Sequence, residues 1–298
     1  HEIEGLKIME ENPRRIGNFT FYNFKKHKEH LEKEHSSQIN KENYYYGLDE
    51  KAFWVSVQVE SRDYKKSREI ANEQFGRLQN VLRFMLYGFS SEYDIGITNF
   101  RKNQTDKWII FSKETSGLSV RYEGSKEQKR VDISFLLDEN PAKMIDVNRL
   151  IENINRADEL SAIEKRIMNA IDLYGRAMYD YGTAIGFQEA MLSVEALLQI
   201  NLGELISKSI GAEISEACAL LLANTYKERV EIEKKMKSLY GVRSKIAHGA
   251  SMNIEADEYH EMARYAYRLI VNIILRTEKF KISKVEDLQK HIQMLRYV

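Results

Sequence analysis

The pattern of apolar and polar residues predicts short β-strands in the first part of the chain. In FWVSVQVE (53–60) alternate residues from Phe53 to Val59 are apolar, and this period of two is typical of a strand with one buried face. Residues 67–88 instead carry apolar side chains at helical spacing and end at a glycine, which predicts a helix. Similar alternating runs predict further strands at 19–24, 93–100, 107–112, 118–122 and 130–137.

After the stretch DENPAKM (138–144) the apolar residues follow a helical period and the strand patterns end. Several predicted helix starts carry a Ser or Thr followed three residues later by Glu, the capping box in which a hydroxyl and a carboxylate satisfy exposed helix amides. These are Ser161/Glu164, Thr225/Glu228 and Ser283/Glu286, with Thr183 as a weaker cap. The predicted helices span 161–181, 184–200, 203–223, 225–248, 255–277 and 283–296.

This change of period predicts an α+β protein with two domains. An amino-terminal domain of mixed strands and helix, residues 1–143, is followed by an all-α helical bundle, residues 144–298. The chain has 298 residues and a hydrophobic content of 43%, which is enough for two such cores.

Composition narrows the classes of function. The 45 basic and 45 acidic residues cancel, so the overall field does not draw the chain to nucleic acid or membrane, and a nucleic-acid site has to be local. No run approaches the ~20 apolar residues that span a bilayer, and we expect a cytoplasmic protein without a membrane partner. The single cysteine, Cys218, excludes a disulfide within the chain.

The charged stretch 25–43 contains three histidines, His27, His30 and His35. Their spacing matches no zinc-binding pattern, and no cysteine accompanies them. We therefore interpret the stretch as an exposed loop, and we predict neither a metal nor a cofactor.

Candidate chemistry is concentrated in LYGVRSKIAHGAS (239–251), at the end of the helix predicted over 225–248. At about 100° per residue, Leu239, Val242 and Ile246 share one arc, which is the natural core face of this helix. The polar residues of the segment therefore face away from the core.

The opposite arc carries Arg243 and His248, about 140° apart. They flank a floor made by Tyr240, Ser244 and Ala247, and Ser244 and His248 are an i,i+4 pair close enough to interact. A guanidinium and an imidazole in this arrangement could hold an anion such as a phosphate. Two such faces that meet across a dimer axis would surround the anion more completely.

The segment YGVRSKIAHG (240–249) resembles the Y-x-x-R-S-x-I-x-H-G ending of the ApeA-like branch of the HEPN superfamily. FQEAMLSVEALL (187–198) is similar to a helix of that family, and SEACALLLAN (215–224) resembles the helix before its motif. The resemblance covers about residues 150–280, and the first domain looks like those that accompany this branch. It implies an α-helical domain in which an R-x4-6-H motif forms a ribonuclease site.

The resemblance further implies a metal-independent endoribonuclease, a homodimer that places both motifs in one composite cleft. His248 would take the proton from a ribose 2′-hydroxyl or return one to the leaving 5′-oxygen, and Arg243 would bind the phosphate and offset its charge in the transition state. The expected product is a 2′,3′-cyclic phosphate. RNA is the implied partner, and the implied role is antiviral defence, with a phage-derived trigger, or a toxin-like effector.

The main candidates also have plain structural interpretations. His248 and Gly249 would form an ordinary helix end, with Arg243 as a surface charge. Glu195, within the apolar run LSVEALL, could orient Arg243 or His248 across the bundle. It could equally form a structural salt bridge or flank a dimer seam.

The remaining candidates also have both a functional and a structural interpretation. Tyr240 could stack on a base or pack internally, and Lys245 could contact the RNA backbone or remain solvated. Ser244 stands where HEPN ribonucleases generally carry Asn, Asp or His, so it is a weaker orienting group. Ala250 stands where some HEPN toxins carry a modified tyrosine, so we do not expect a nucleotidyltransferase antitoxin.

Two other functions compete with the enzyme. The first is a HEPN-like dimer that binds RNA or a nucleotide without cutting it, for which Ser244 would be the sign of lost chemistry. The second is a helical bundle that serves only as a dimerisation platform for a sensing amino-terminal domain. The binding module predicts binding without products under all metal and pH conditions, and the platform predicts unimpaired function when Arg243 and His248 are both replaced.

Overall fold

The computed structural model describes residues 2–4, 6–7, 13–23, 29, 33, 53–86, 96–97, 106–111, 118–123, 131–132, 144–198, 209–249 and 253–297. The chain divides into two compact units, one of residues 1–79 and 88–138 and the other of residues 80–87 and 139–298. The described strands belong to the first unit and most described helices to the second. The predicted α+β class is confirmed.

The elements are numbered in chain order. The described strands are β1 (Glu2–Glu4), β2 (Leu6–Lys7), β3 (Arg14–Ile16), β4 (Phe19–Asn23), β5 (Phe53–Val57), β6 (Gly96–Ile97), β7 (Asp106–Phe111), β8 (Leu118–Glu123) and β9 (Val131–Asp132). The described helices are α1 (Tyr64–Met85), α2 (Val147–Asn155), α3 (Ala162–Tyr179), α4 (Ala184–Leu198), α5 (Ile210–Leu222), α6 (Tyr226–Ala247), α7 (Ala256–Phe280) and α8 (Val285–Met294), followed by a 3₁₀ turn at Leu295–Tyr297.

The first unit contains a five-stranded antiparallel sheet with the order β3-β4-β5-β1-β6. Strands β7 and β8 form a separate antiparallel pair, and β2 pairs with β9 in parallel. Every strand that the alternation predicted has a described counterpart, whereas the short strands β1, β2 and β3 were not predicted. These three strands span only two or three residues each, and none of them lies within a longer alternating run.

One face of the large sheet packs on helix α1. Phe19, Phe21 and Val55 are buried, and the ring of Phe19 lies 6.3 Å from that of Phe75 on α1, centroid to centroid. Strands β3 and β4 are joined by a tight turn in which Gly17 has φ 57, a left-handed conformation that glycine adopts without strain. The apolar alternation in these strands thus corresponds to one buried face.

The last turns of α1, residues 80–85, belong to the second unit. Asn80 Nδ2 donates a hydrogen bond to Asp172 Oδ1 of α3 at 2.8 Å, and the rings of Phe84 and Tyr174 meet edge to face with centroids 5.8 Å apart. A single boundary at residue 143 would assign these turns to the first domain, whereas they belong to the second unit. The helical period of 67–88 is continuous, so it does not reveal that the two ends of the helix have different partners.

Most predicted helix caps are present in the second unit. Ser161 and Thr225 each form a reciprocal capping box with the glutamate three residues later. The hydroxyl of Thr183 accepts a hydrogen bond from the amide of Gly186 at 3.1 Å, which caps α4. These caps fix the starts of α3, α4 and α6 by satisfying amides that have no partner within the helix.

The capping box predicted at Ser283 and Glu286 is wrong. Helix α8 begins one residue later than such a box requires, with Lys284 at the N-cap and no side-chain cap. The backbone carbonyl of Ser283 instead accepts a hydrogen bond from the amide of Ile163, at the start of α3, at 3.4 Å. Packing against a distant helix therefore decided the start of α8.

Helix α2 was not predicted. It is only nine residues long, and Asp146 caps it by accepting from the amide of Arg149 at 3.1 Å. Residues 199–208, which include the predicted end of one helix and the predicted start of the next, lie outside the described residues. The predicted loop 25–43 with its three histidines also lies outside them, apart from Glu29 and Lys33.

None of the helices in the described residues is long and apolar enough to cross a membrane.

The helices of the second unit enclose an apolar core. The single cysteine, Cys218, is buried in α5, and burial raises the pKa of its thiol far above the ordinary value. Large side chains that are fully buried in this core include Tyr174, Phe187, Met191, Met236, Tyr259, Leu269 and Ile270.

Candidate functional site

The candidate site lies at the carboxyl-terminal end of helix α6. Leu239 and Ile246 are buried in the core, and Val242 is half-buried. The helix ends because Gly249 takes φ 73 and its amide donates to the carbonyl of Ile246 at 3.0 Å, a left-handed termination that glycine allows. His248 is the C-cap residue, and its amide donates to the carbonyl of Ser244 at 3.1 Å.

Arg243 is held from the core side by a buried carboxylate. Its Nε lies 3.5 Å from Oε1 of Glu195 on α4, and the two side chains are 30% and 9% exposed. This Oε1 accepts no hydrogen bond from the described residues, so the attraction to the guanidinium is mainly between opposite charges. A buried charge needs such compensation, because the loss of water around it is costly.

Tyr240 completes this cluster. The guanidinium carbon of Arg243 lies 5.8 Å from the centroid of the Tyr240 ring, within the range of a cation–π attraction. Burial raises the pKa of the Tyr240 hydroxyl above its ordinary value of 10.0, the carboxylate of Glu195 raises it further, and Arg243 partly offsets both effects. Glu195, Tyr240 and Arg243 therefore interact as one group, and we call them the Glu–Tyr–Arg cluster.

A glycine on the neighbouring helix makes room for the tyrosine. A Cβ atom at Gly211 in α5 would lie only 2.6 Å from Cδ1 and 2.9 Å from Cε1 of Tyr240, closer than side chains can approach. Gly211 lies in the first turn of α5. Its role as a packing partner of Tyr240 depends on how α5 and α6 approach each other, which local patterns do not show.

Among the described residues, no side-chain hydrogen bond or ion pair joins the other candidate residues to the Glu–Tyr–Arg cluster. His248 and Lys245 are exposed, and Ser244 is half-buried. Ser244 shares a backbone hydrogen bond with His248. The imidazole of His248 has no described hydrogen bond or ion pair, so it is open to solvent and to a ligand.

The two basic side chains differ in how they are held. Arg243 approaches Glu195 most closely through Nε, and neither of its Nη groups donates a hydrogen bond to a described residue, so a planar pair of donors remains for an anion. The ring nitrogens of His248 can accept or donate hydrogen bonds. Among the described residues, no group of three or more His, Cys, Asp or Glu could hold a metal ion.

Comparisons of the chain with protein-family models, with curated proteins and with solved structures found no match. The fold and the site therefore define this protein only as an α+β protein with an anchored arginine and an open histidine at one helix end.

Proposed function

We propose that this protein is a metal-independent endoribonuclease that cleaves RNA by attack of a ribose 2′-hydroxyl on the adjacent phosphate. The observation that supports it most directly is the pairing of Arg243 with the buried Glu195, 3.5 Å from Nε to Oε1. This contact leaves the outer guanidinium nitrogens for a phosphate. The solvent-exposed His248 follows five residues later, at the C-cap of the same helix.

The proposed reaction is a transesterification. His248 accepts the proton of the 2′-hydroxyl, or the corresponding histidine of a second copy does so, while the 2′-oxygen bonds to phosphorus. The bond from phosphorus to the 5′-oxygen breaks, and an imidazolium returns a proton to that leaving oxygen. Arg243 donates hydrogen bonds to the non-bridging oxygens, whose charge rises in the transition state. The products are a 2′,3′-cyclic phosphate and a free 5′-hydroxyl.

The proposed active form is a homodimer. Within one chain, Arg243 and His248 lie about 140° apart around the helix, so one copy surrounds a phosphate poorly. Two helix ends that meet across a two-fold axis would supply two arginines and two histidines to one cleft. We propose that this dimer acts in the cytoplasm as an antiviral or toxin-like effector, with a phage-derived trigger.

The proposal is tested by incubating the purified chain with total RNA in the presence of EDTA and analysing the ends of the fragments. We expect cleavage that leaves cyclic-phosphate ends. Arg243→Ala and His248→Ala should each lower the rate by at least about a hundredfold, because they remove the phosphate donors and the proton carrier. Lys237→Ala is a matched control, since it removes an exposed cation from the same helix.

The outcomes separate the proposed enzyme from its alternatives. Loss of cleavage on addition of EDTA would contradict the metal-independent mechanism. RNA binding without products, unchanged by EDTA or pH, would favour the non-catalytic binding module instead. Equal cleavage by the parent, Arg243→Ala and His248→Ala proteins would show that this helix end is not the site.

The composite cleft has a separate test. Mixing the Arg243→Ala and His248→Ala proteins produces heterodimers that contain one intact arginine and one intact histidine. If the two side chains act together from different copies, the mixture should regain part of the parental rate. A mixture as inactive as its components would contradict the shared cleft, although not the chemistry of each residue.

A further inference from the structure

From the Glu–Tyr–Arg cluster we infer that Glu195 is a positioning residue, which acts through Arg243 to aim its outer guanidinium nitrogens at the substrate phosphate. This inference rests on the proposed function, and it adds a role that the motif itself does not contain. Glu195 is far from the motif in sequence, on α4, whereas Arg243 is on α6. The side chain of Glu195 is 9% exposed, so it acts from within the protein.

The first step of the argument is the placement of the carboxylate. Glu195 is surrounded along α4 by the buried residues Val194, Leu197 and Leu198. A carboxylate in such a setting is costly unless an opposite charge compensates for it. Arg243 is the cation paired with it among the described residues. The pair therefore fixes Arg243 as much as it stabilises Glu195.

The second step is the side from which the carboxylate approaches. The nearest approach is at Nε, the nitrogen nearest the backbone, and no hydrogen bond to a described residue occupies the outer edge of the guanidinium. A phosphate binds most strongly through two parallel N–H donors of one guanidinium edge. Contact at Nε leaves the edge between the two Nη groups for this purpose. A solvent-exposed arginine without such an anchor would have to be ordered when the substrate binds.

The third step is the wall formed by Tyr240. Its ring is in close contact with Gly211, where a Cβ would approach Cδ1 to 2.6 Å. The guanidinium carbon of Arg243 lies 5.8 Å from the centroid of the same ring. The ring therefore has little freedom, and together with Glu195 it limits the rotation of the Arg243 side chain.

The decisive experiment compares Glu195→Gln with Glu216→Gln. Glu216 is the control, because it is also a glutamate paired with an arginine: its Oε1 lies 3.0 Å from Nε of Arg296, its Oε2 accepts a hydrogen bond from Nη2 at 3.2 Å, and its side chain is 23% exposed. Both changes keep the shape of the side chain and remove its charge. We expect Glu195→Gln to lower kcat/KM for RNA by about ten- to a hundredfold, as loss of an orienting partner commonly does, and Glu216→Gln to change it less than about twofold.

A second measurement reads the anchoring of Arg243 without any reaction. In protein labelled with ¹⁵N at arginine, the Nε–H signal of Arg243 is assigned by its absence from Arg243→Lys. We expect this signal to be separate from those of solvated arginines in the parent and in Glu216→Gln. In Glu195→Gln it should move to the position of solvated arginines, while the urea unfolding midpoint stays near that of the parent.

A third measurement uses fully 2′-O-methylated RNA, which cannot be cleaved because the attacking hydroxyl is blocked. If Glu195 acts through Arg243, Glu195→Gln should weaken binding in the parent but have no further effect in Arg243→Ala. Additive losses in this double-mutant cycle would overturn the inference. Unchanged RNA cleavage and binding in Glu195→Gln would also overturn it, whatever the Nε–H signal shows.

The failure of the proposed function looks different. A parent protein that neither cleaves nor binds RNA refutes the nuclease, and the positioning role falls with it. The Nε–H signal then still reports whether Glu195 anchors Arg243. If the parent cleaves RNA and Glu195→Gln cleaves it equally well, the nuclease stands and only the positioning role of Glu195 is refuted.

Discussion

Replacement of Gly175 by alanine is expected to destabilise the helical unit, although alanine is the better helix former. Gly175 lies in α3 at its crossing with the last turns of α1. A Cβ at this position would be 2.4 Å from both Cα and Cβ of Asn80 and 2.7 Å from its carbonyl oxygen. Two of these three atoms belong to the backbone, so rotation of a side chain cannot relieve the clash.

The expected loss of stability is the sum of one stabilising and two destabilising contributions. Alanine is favoured over glycine within a helix by about 1 kcal/mol. Restoring normal contact requires the two helices to separate by about 1 Å, and overpacking of this kind costs about 1–3 kcal/mol. The separation also weakens the 2.8 Å hydrogen bond from Asn80 to Asp172, which contributes about 1 kcal/mol. The free energy of unfolding should therefore fall by about 1–3 kcal/mol.

Gly241→Ala is the matched control. Gly241 lies within α6, and a Cβ there would have nothing within 4 Å. The same substitution should therefore raise the free energy of unfolding by about 0.5–1 kcal/mol. Both variants are measured by urea unfolding followed by far-ultraviolet circular dichroism, with midpoints compared at unchanged slope.

The opposite signs of the two shifts are the test. A Gly175→Ala protein that unfolds at or above the parental midpoint would show that the crossing of α1 and α3 has room for a methyl group. Equal shifts in the two variants would show that the contact with Asn80 is not the cause. Either result would refute the argument from the close approach.

Two further predictions concern pH and capping. His291 Nε2 accepts a hydrogen bond from Nη1 of Arg276 at 2.8 Å, and burial together with this cation lowers the pKa of His291 below its ordinary value of 6.5. As the pH falls below about 6.5, the unfolded chain binds a proton that the folded chain does not, so stability is lost on acidification. In His291→Gln this part of the pH dependence of the urea midpoint should disappear. An unchanged pH dependence would contradict the assignment to His291. Ser161→Ala removes the hydroxyl that accepts from the amide of Glu164 at 3.2 Å, so the free energy of unfolding should fall by about 1 kcal/mol. Ser161→Asp should retain most of this contribution to stability, and equal losses in the two variants would argue against the cap.

The sequence was sufficient for elements whose signals are local. The alternation in 53–60 predicted β5, and the boxes at Ser161 and Thr225 predicted the starts of α3 and α6. The glycine after His248 predicted the end of α6, where Gly249 has φ 73. Each of these features depends on residues within a few positions of one another, so the pattern carries the physical cause.

The sequence was insufficient where the cause lies in another part of the chain. Helix α8 does not start with the predicted box at Ser283, because the backbone of that residue is engaged by Ile163. The partners of the last turns of α1 also depend on which unit they pack against. Helical spacing identifies an apolar face but not the surface that covers it.

The same division holds for the candidate site. The order of residues along α6 by itself determined that Arg243 and His248 occur at one helix end, because about 100° per residue fixes their angular separation. Only the tertiary structure decided that Arg243, rather than His248, contacts Glu195, and that Gly211 gives Tyr240 its place. These contacts join α4, α5 and α6, and their geometry is set by how the three helices pack, which no local pattern of residues contains.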